Sequence, residues 1–134
     1  MTATCDQCKA CLHSCPTGAI DPDRFLLHAE RCLTLHNEEP QHVPFPQWVD
    51  PSWHNCLVGC LHCQKVCPEN GEVRDWIEGD EVFSEEETAL LLDGVAIDEL
   101  PSATVAKLER LDLTDLLEVL PRNLEALLSM QDKR

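Results

Sequence analysis

The chain contains no tyrosine, and aromatic residues make up only 4% of its 134 residues. An ordinary aromatic-centred core is therefore not available to it, because Phe, Tyr and Trp carry the largest apolar area per side chain. Bases are also scarce: Lys+Arg is 10 against 25 Asp+Glu, a formal charge of −15. Phosphate affinity is carried by Lys and Arg, so nucleic acid and anionic membrane surface are not expected as partners. The longest purely apolar stretches are four residues, Ala89–Leu92 among them, far short of the ~20 that span a bilayer. No apolar leader follows Met1, so no secretory signal is expected and the reading is cytoplasmic.

What the chain has in excess is cysteine, nine of them, all within residues 1–68 together with all six histidines and seven of the nine prolines. A secreted protein would use cysteines as disulfides and a cytosolic one as metal or cluster ligands. The odd count and the absent leader favour ligands. Charge divides at the same place. Residues 1–68 hold seven acids against four bases, net −3, and the remainder 18 acids against six bases, net −12. Residues 1–70 thus read as a cysteine-framed domain with little regular structure, and residues 71–134 as an acidic helical extension. The fold class expected is α+β, mostly α and irregular.

The cysteines form an internal duplication. Cys5-x2-Cys8-x2-Cys11-x3-Cys15-Pro16 is answered by Cys56-x3-Cys60-x2-Cys63-x3-Cys67-Pro68. The first run is the two-cluster bacterial ferredoxin pattern, and the second misses it by one inserted residue. Thiolates spaced by two residues line a tight loop around one cubane face. The cysteine before proline turns away toward the other cluster, on an extended step that proline imposes on itself and its predecessor. Paired CxxC units alone would suggest zinc. Two runs that both end in Cys-Pro point instead to two [4Fe–4S] clusters. Exchange of the fourth cysteine assigns Cys5, Cys8, Cys11 and Cys67 to cluster I, and Cys15, Cys60 and Cys63 to cluster II. One ligand of cluster II is still required, and simple duplication nominates Cys56.

The stretches "CDQCKACLHSCPTGAI", "HAERC" ending at Cys32, and "GCLHCQKVCPEN" from Gly59 to Asn70 resemble the double-cluster ferredoxin module of epoxyqueuosine reductases and the related corrinoid-dependent reductive dehalogenases. The resemblance covers about half the chain. It implies electron transfer to a cobalamin carried by a larger preceding domain. Nothing ahead of Cys5 could be that domain, so the expectation is a part of a longer protein or a relative acting in trans on a redox partner. The resemblance also nominates Cys32 as the eighth ligand, and the extra residue between Cys56 and Cys60 favours it. Cys56 is then a buried free thiol. The family's helical-repeat, transfer-RNA-binding tail is not evident in residues 69–134, which are short and acidic.

The other side chains have plainer readings. His13 and His62, inside the cysteine loops, are expected to shield clusters or hydrogen-bond to sulfur, and His28, His36, His42 and His54 to be structural. Asp21-Pro22-Asp23 reads as the start of a helix over "RFLLHAERCLTLH", with Cys32 near its end. Residues 37–55 carry four prolines and read as an ordered loop, whose Phe45, Trp48 and Trp53 form a satellite core over cluster II. In the extension, Glu72–Ile77 is a candidate helix, Ser84-x-x-Glu87 is a capping box closed by Gly94, Ser102 caps "ATVAKLERL", and Pro121 interrupts a helix begun at Thr114. No pair of acids is placed for catalysis, and no catalytic residue is expected. The competing function is the reducing part of a cobalamin-dependent oxidoreductase.

Overall fold

The computed structural model describes residues 4–23, 26–76 and 79–131. Six α-helices are described: α1 (Ala10–Ser14), α2 (Leu33–Glu38), α3 (His62–Lys65), α4 (Glu85–Leu92), α5 (Ser102–Arg110) and α6 (Leu120–Gln131). Single 3-10 turns at Ala29–Arg31, Pro51–Trp53, Pro68–Asn70 and Ile97–Glu99, and a longer 3-10 stretch at Thr114–Val119, join them. Strand pairing among the described residues is one bridge, Ile20 to Leu27. The β part of the expected α+β class therefore shrinks to that one bridge, and the described residues are helical and irregular.

Local chemistry accounts for the helices of the C-terminal half. Ser84 and Glu87 make the reciprocal capping box, Ser84 Oγ accepting from the Glu87 amide and Glu87 accepting from the Ser84 amide. At the other end, Gly94 at φ +68° lets its own amide reach the Leu91 carbonyl and that of Val95 the Leu90 carbonyl, the paired bonds of a Schellman stop. Helix α5 ends the same way on Asp112, at φ 53°; aspartate tolerates the left-handed region better than most residues. Ser102 does not cap α5: Pro101 holds the cap position, and no side chain bonds there. Pro121 likewise does not interrupt. The 3-10 stretch from Thr114 runs straight into α6, and Pro121 lies in its first turn, where a missing N–H costs nothing.

Helices α4 and α6 pack together over a core of buried Leu91, Leu100, Leu108, Val119 and Leu120. Leu57 and Val58, from the second cysteine run, pack against that same cluster. The cysteine-bearing half buries much less. Ala19, Leu33 and Val49 are its buried apolar residues among those described. Two expectations fail here. The sequence from Asp21 does not begin a helix: Asp21 N–H bonds the Leu26 carbonyl and His28 N–H the Ala19 carbonyl. Arg24 and Phe25 lie outside the described residues. Residues 71–75 form turns rather than a helix, and Trp76 is 72% exposed; Ile77 lies outside the described residues.

Candidate iron–sulfur centre

Each cysteine run ends its tight loop in a short helix. Cys11 lies in α1 and Cys63 in α3, and these two helices pack on each other. Ser14 Oγ donates to the His62 carbonyl at 3.1 Å, fixing one run against the other. Cys15 is the C-cap of α1 and Cys67 the residue before the Pro68–Asn70 turn, both in extended backbone, as the following prolines require. Cys32 is the N-cap of α2, so it begins a helix instead of ending one.

Around these thiols the backbone presents donors. Gly18, at φ +64°, bends the chain so that the Ala19 amide donates to Cys15 Sγ at 3.3 Å, with Thr17 Oγ1 at 3.4 Å. Burial pushes the Cys15 thiol up, yet the Thr17 hydroxyl and the amides of Ala19, Thr17 and Gly18 outweigh it and hold its pKa below the usual value. In the second run burial dominates. It raises Cys60, assisted by nearby Cys32, Cys56 and Cys63, and raises Cys63, assisted by Cys32, Cys15 and Cys11. Cys32 is thus felt by both Cys60 and Cys63. Cys56 is also raised by burial. Its Sγ–H donates to Asn55 Oδ1 at 3.1 Å, and it is felt by Cys60 but is not among the groups acting on Cys63.

The donor set suits iron–sulfur chemistry. The cysteines from Cys8 to Cys67 carry free thiols, each partly buried, and soft thiolates select such clusters. Among the described residues no three His, Cys, Asp or Glu side chains converge as a single-ion site requires; in a cubane each thiolate holds a different iron.

The ring of His62 has a partner other than sulfur, while its backbone amide bonds the Cys60 thiol. His62 Nε2 donates to the Trp53 carbonyl at 2.9 Å. His36 is buried between the Glu30 carbonyl and the Glu39 carboxylate, with Trp48 edge-on at 5.3 Å. Burial, reinforced by Arg122, holds His54 below the ordinary histidine value. In the proline-rich loop Phe45 lies tilted on His54 and beneath the Arg122 guanidinium at 4.3 Å, and Trp48 is 46% exposed. Sequence reasoning missed Arg122 and Asn123, whose bonds reach carbonyls 79 to 86 and 66 to 86 residues away. No local pattern marks them beyond their place in the first turn of α6.

Residues 4–70 match the family described as a 4Fe-4S double cluster binding domain, and the chain belongs to that family. Relatives over this stretch include epoxyqueuosine reductases. That of Prochlorococcus marinus is 35% identical over 66 residues, covering 49% of this chain and 21% of the relative. That of Shewanella oneidensis is 41% identical over 66 residues, 49% and 16%, and that of Escherichia coli 36% identical over 66 residues, 49% and 17%. The chain thus spans about a fifth of the length of the curated relatives it matches. No solved structure matches it. None of the described helices is long and apolar enough to cross a membrane.

Proposed function

We propose that this chain is an electron-transfer module that carries single electrons through two [4Fe–4S] clusters to a redox partner or to a catalytic domain preceding it in a longer protein. Cluster I takes Cys5, Cys8, Cys11 and Cys67, and cluster II takes Cys15, Cys32, Cys60 and Cys63. The observation that carries the reading is the packing of α1 on α3, which joins the helix that holds Cys11 and ends at Cys15 to the helix that holds Cys63. When bound, the clusters supply reversible one-electron chemistry. The chain supplies thiolates, amide donors such as that of Ala19, and partial burial that sets the local dielectric.

The chain's coverage of about a fifth of epoxyqueuosine reductases favours a second, narrower reading. The module is then the reducing part of a cobalamin-dependent oxidoreductase of that type, the cobalamin being held by the partner or preceding domain. Nucleic acid is not proposed as a partner of this chain, since residues 69–134 carry a net −12 that repels phosphate.

Anaerobically prepared chain is expected to hold about eight iron and eight sulfide, four of each per cubane, and both clusters to reduce and reoxidise reversibly in an EPR-monitored titration. One or two zinc ions without sulfide overturn the cluster assignment; clusters that resist reduction overturn the electron-transfer role.

A further inference from the structure

We propose that Arg122 and Asn123, at the head of α6, are positioning residues for cluster II. They hold the helix that begins at Cys32 and the loop that leads to Cys60 in one fixed relation. This rests on the two-cluster reading above, and it gives a role to a segment outside the 4–70 family match.

Asn123 is 1% exposed, and its Nδ2 donates to two carbonyls, Asn37 at 2.7 Å and Leu57 at 2.8 Å. Asn37 lies in the last turn of α2, the helix capped by Cys32. Leu57 lies three residues before Cys60. One side-chain amide therefore spans the two segments that bring Cys32 and Cys60 together. A second amide repeats the link one step nearer the thiol: Asn37 Nδ2 donates to the Gly59 carbonyl at 2.6 Å. Gly59, at φ +74°, makes the turn into Cys60. Arg122 secures the end of α2 from the other side. Its guanidinium donates to the carbonyls of His36 at 2.7 Å, Val43 at 2.6 Å and Pro40 at 3.3 Å. Among the described residues neither side chain bonds to the Cys5–Cys11 loop or to Cys67.

Among the described residues, Asn37 Oδ1 is buried without a partner. An unpaired buried acceptor offsets much of what the Nδ2 bond contributes to stability, so the contribution of this amide is chiefly placement. Ligands to a cluster must be held to a small fraction of an ångström, and groups that orient ligands from outside commonly change metal retention 10- to 100-fold when lost.

The test uses the full chain, reconstituted anaerobically, with Cys60→Ser identifying the EPR signal of cluster II by its loss. Asn123→Leu removes both donors at similar size, and Leu108→Ala loosens the same helical half without touching an amide. In Asn123→Leu the chelator-driven loss of cluster II is expected to accelerate roughly tenfold or more. Its midpoint potential is also expected to shift, while cluster I keeps both properties and Leu108→Ala leaves both potentials in place. Unchanged potentials in Asn123→Leu, equal shifts in both clusters, or the same shift in Leu108→Ala overturn the proposal. If Asn123→Leu does not fold, Arg122→Met is read against the same outcomes. Wild-type iron far below about eight overturns the two-cluster reading itself; wild-type iron at that level with an unaffected Asn123→Leu overturns only the positioning role.

Discussion

At Cys56 the thiol already donates to Asn55 Oδ1, whereas Cys32 stands at the head of α2 among the groups that act on both Cys60 and Cys63. Cys32→Ser is therefore expected to leave cluster I intact and make cluster II labile or reduce it to a three-iron form, because a hydroxyl replaces a soft thiolate poorly. Cys56→Ser is expected to keep full iron. Iron counts and low-temperature EPR on both variants check this, and the reverse pattern supports simple duplication. A second residue-scale prediction concerns Glu87, which accepts from Lys107 Nζ at 2.6 Å, the Ser84 amide and Thr104 Oγ1. Chiefly through Lys107, these bonds hold its pKa down at about 2, against an ordinary 4.5. A depressed carboxylate stabilises the fold above its unfolded value and loses that contribution as pH falls through its folded one. Glu87→Gln is expected to lower stability at pH 7, and its gap from wild type to close as pH falls from 4.5 to 2. Chemical denaturation followed by circular dichroism reads both ends.

The helices divide by what makes them. Helix α4 was legible in the sequence because its start and stop are local: a capping box, three first-turn glutamates that suit the helix dipole, and a glycine stop. Helix α5 shows its apolar face at Val105, Leu108 and Leu111, and the structure buries Leu108 completely. Leu108→Ala is expected to cost about 2–5 kcal/mol in denaturant unfolding. Leu128→Ala, at a side chain 37% exposed, is expected to cost far less. Helices α1 and α3, of five and four residues, are too short to stand alone and depend on each other and on the thiols between them. The spacing of Leu26, Leu27, Ala29 and Leu33 suggests a helix, but Leu27 instead bridges Ile20. The Asp21 amide bonds the Leu26 carbonyl, and Leu26 is 39% and Leu27 53% exposed.

For the whole molecule, the two halves differ in how much apolar surface they bury. The helical half owns a leucine core, and the cysteine half has little of its own. Removing the clusters is accordingly expected to unfold residues 4–70 while α4, α5 and α6 keep their helicity, since ligand binding and folding are coupled where the core is small. Limited proteolysis and far-UV circular dichroism of apo and holo chain check this; identical patterns count against it. The sequence alone determined the cofactor class, because cluster ligation is written in cysteine spacing and in the proline after each run, both local covalent features. It also determined the helical, acidic character of the C-terminal half, through caps and periodicity. Only the tertiary structure decided that Arg122 and Asn123 reach back to the carbonyls of α2 and Leu57. Those contacts join residues tens of positions apart. Their partners are backbone carbonyls, which every residue carries and no sequence pattern distinguishes.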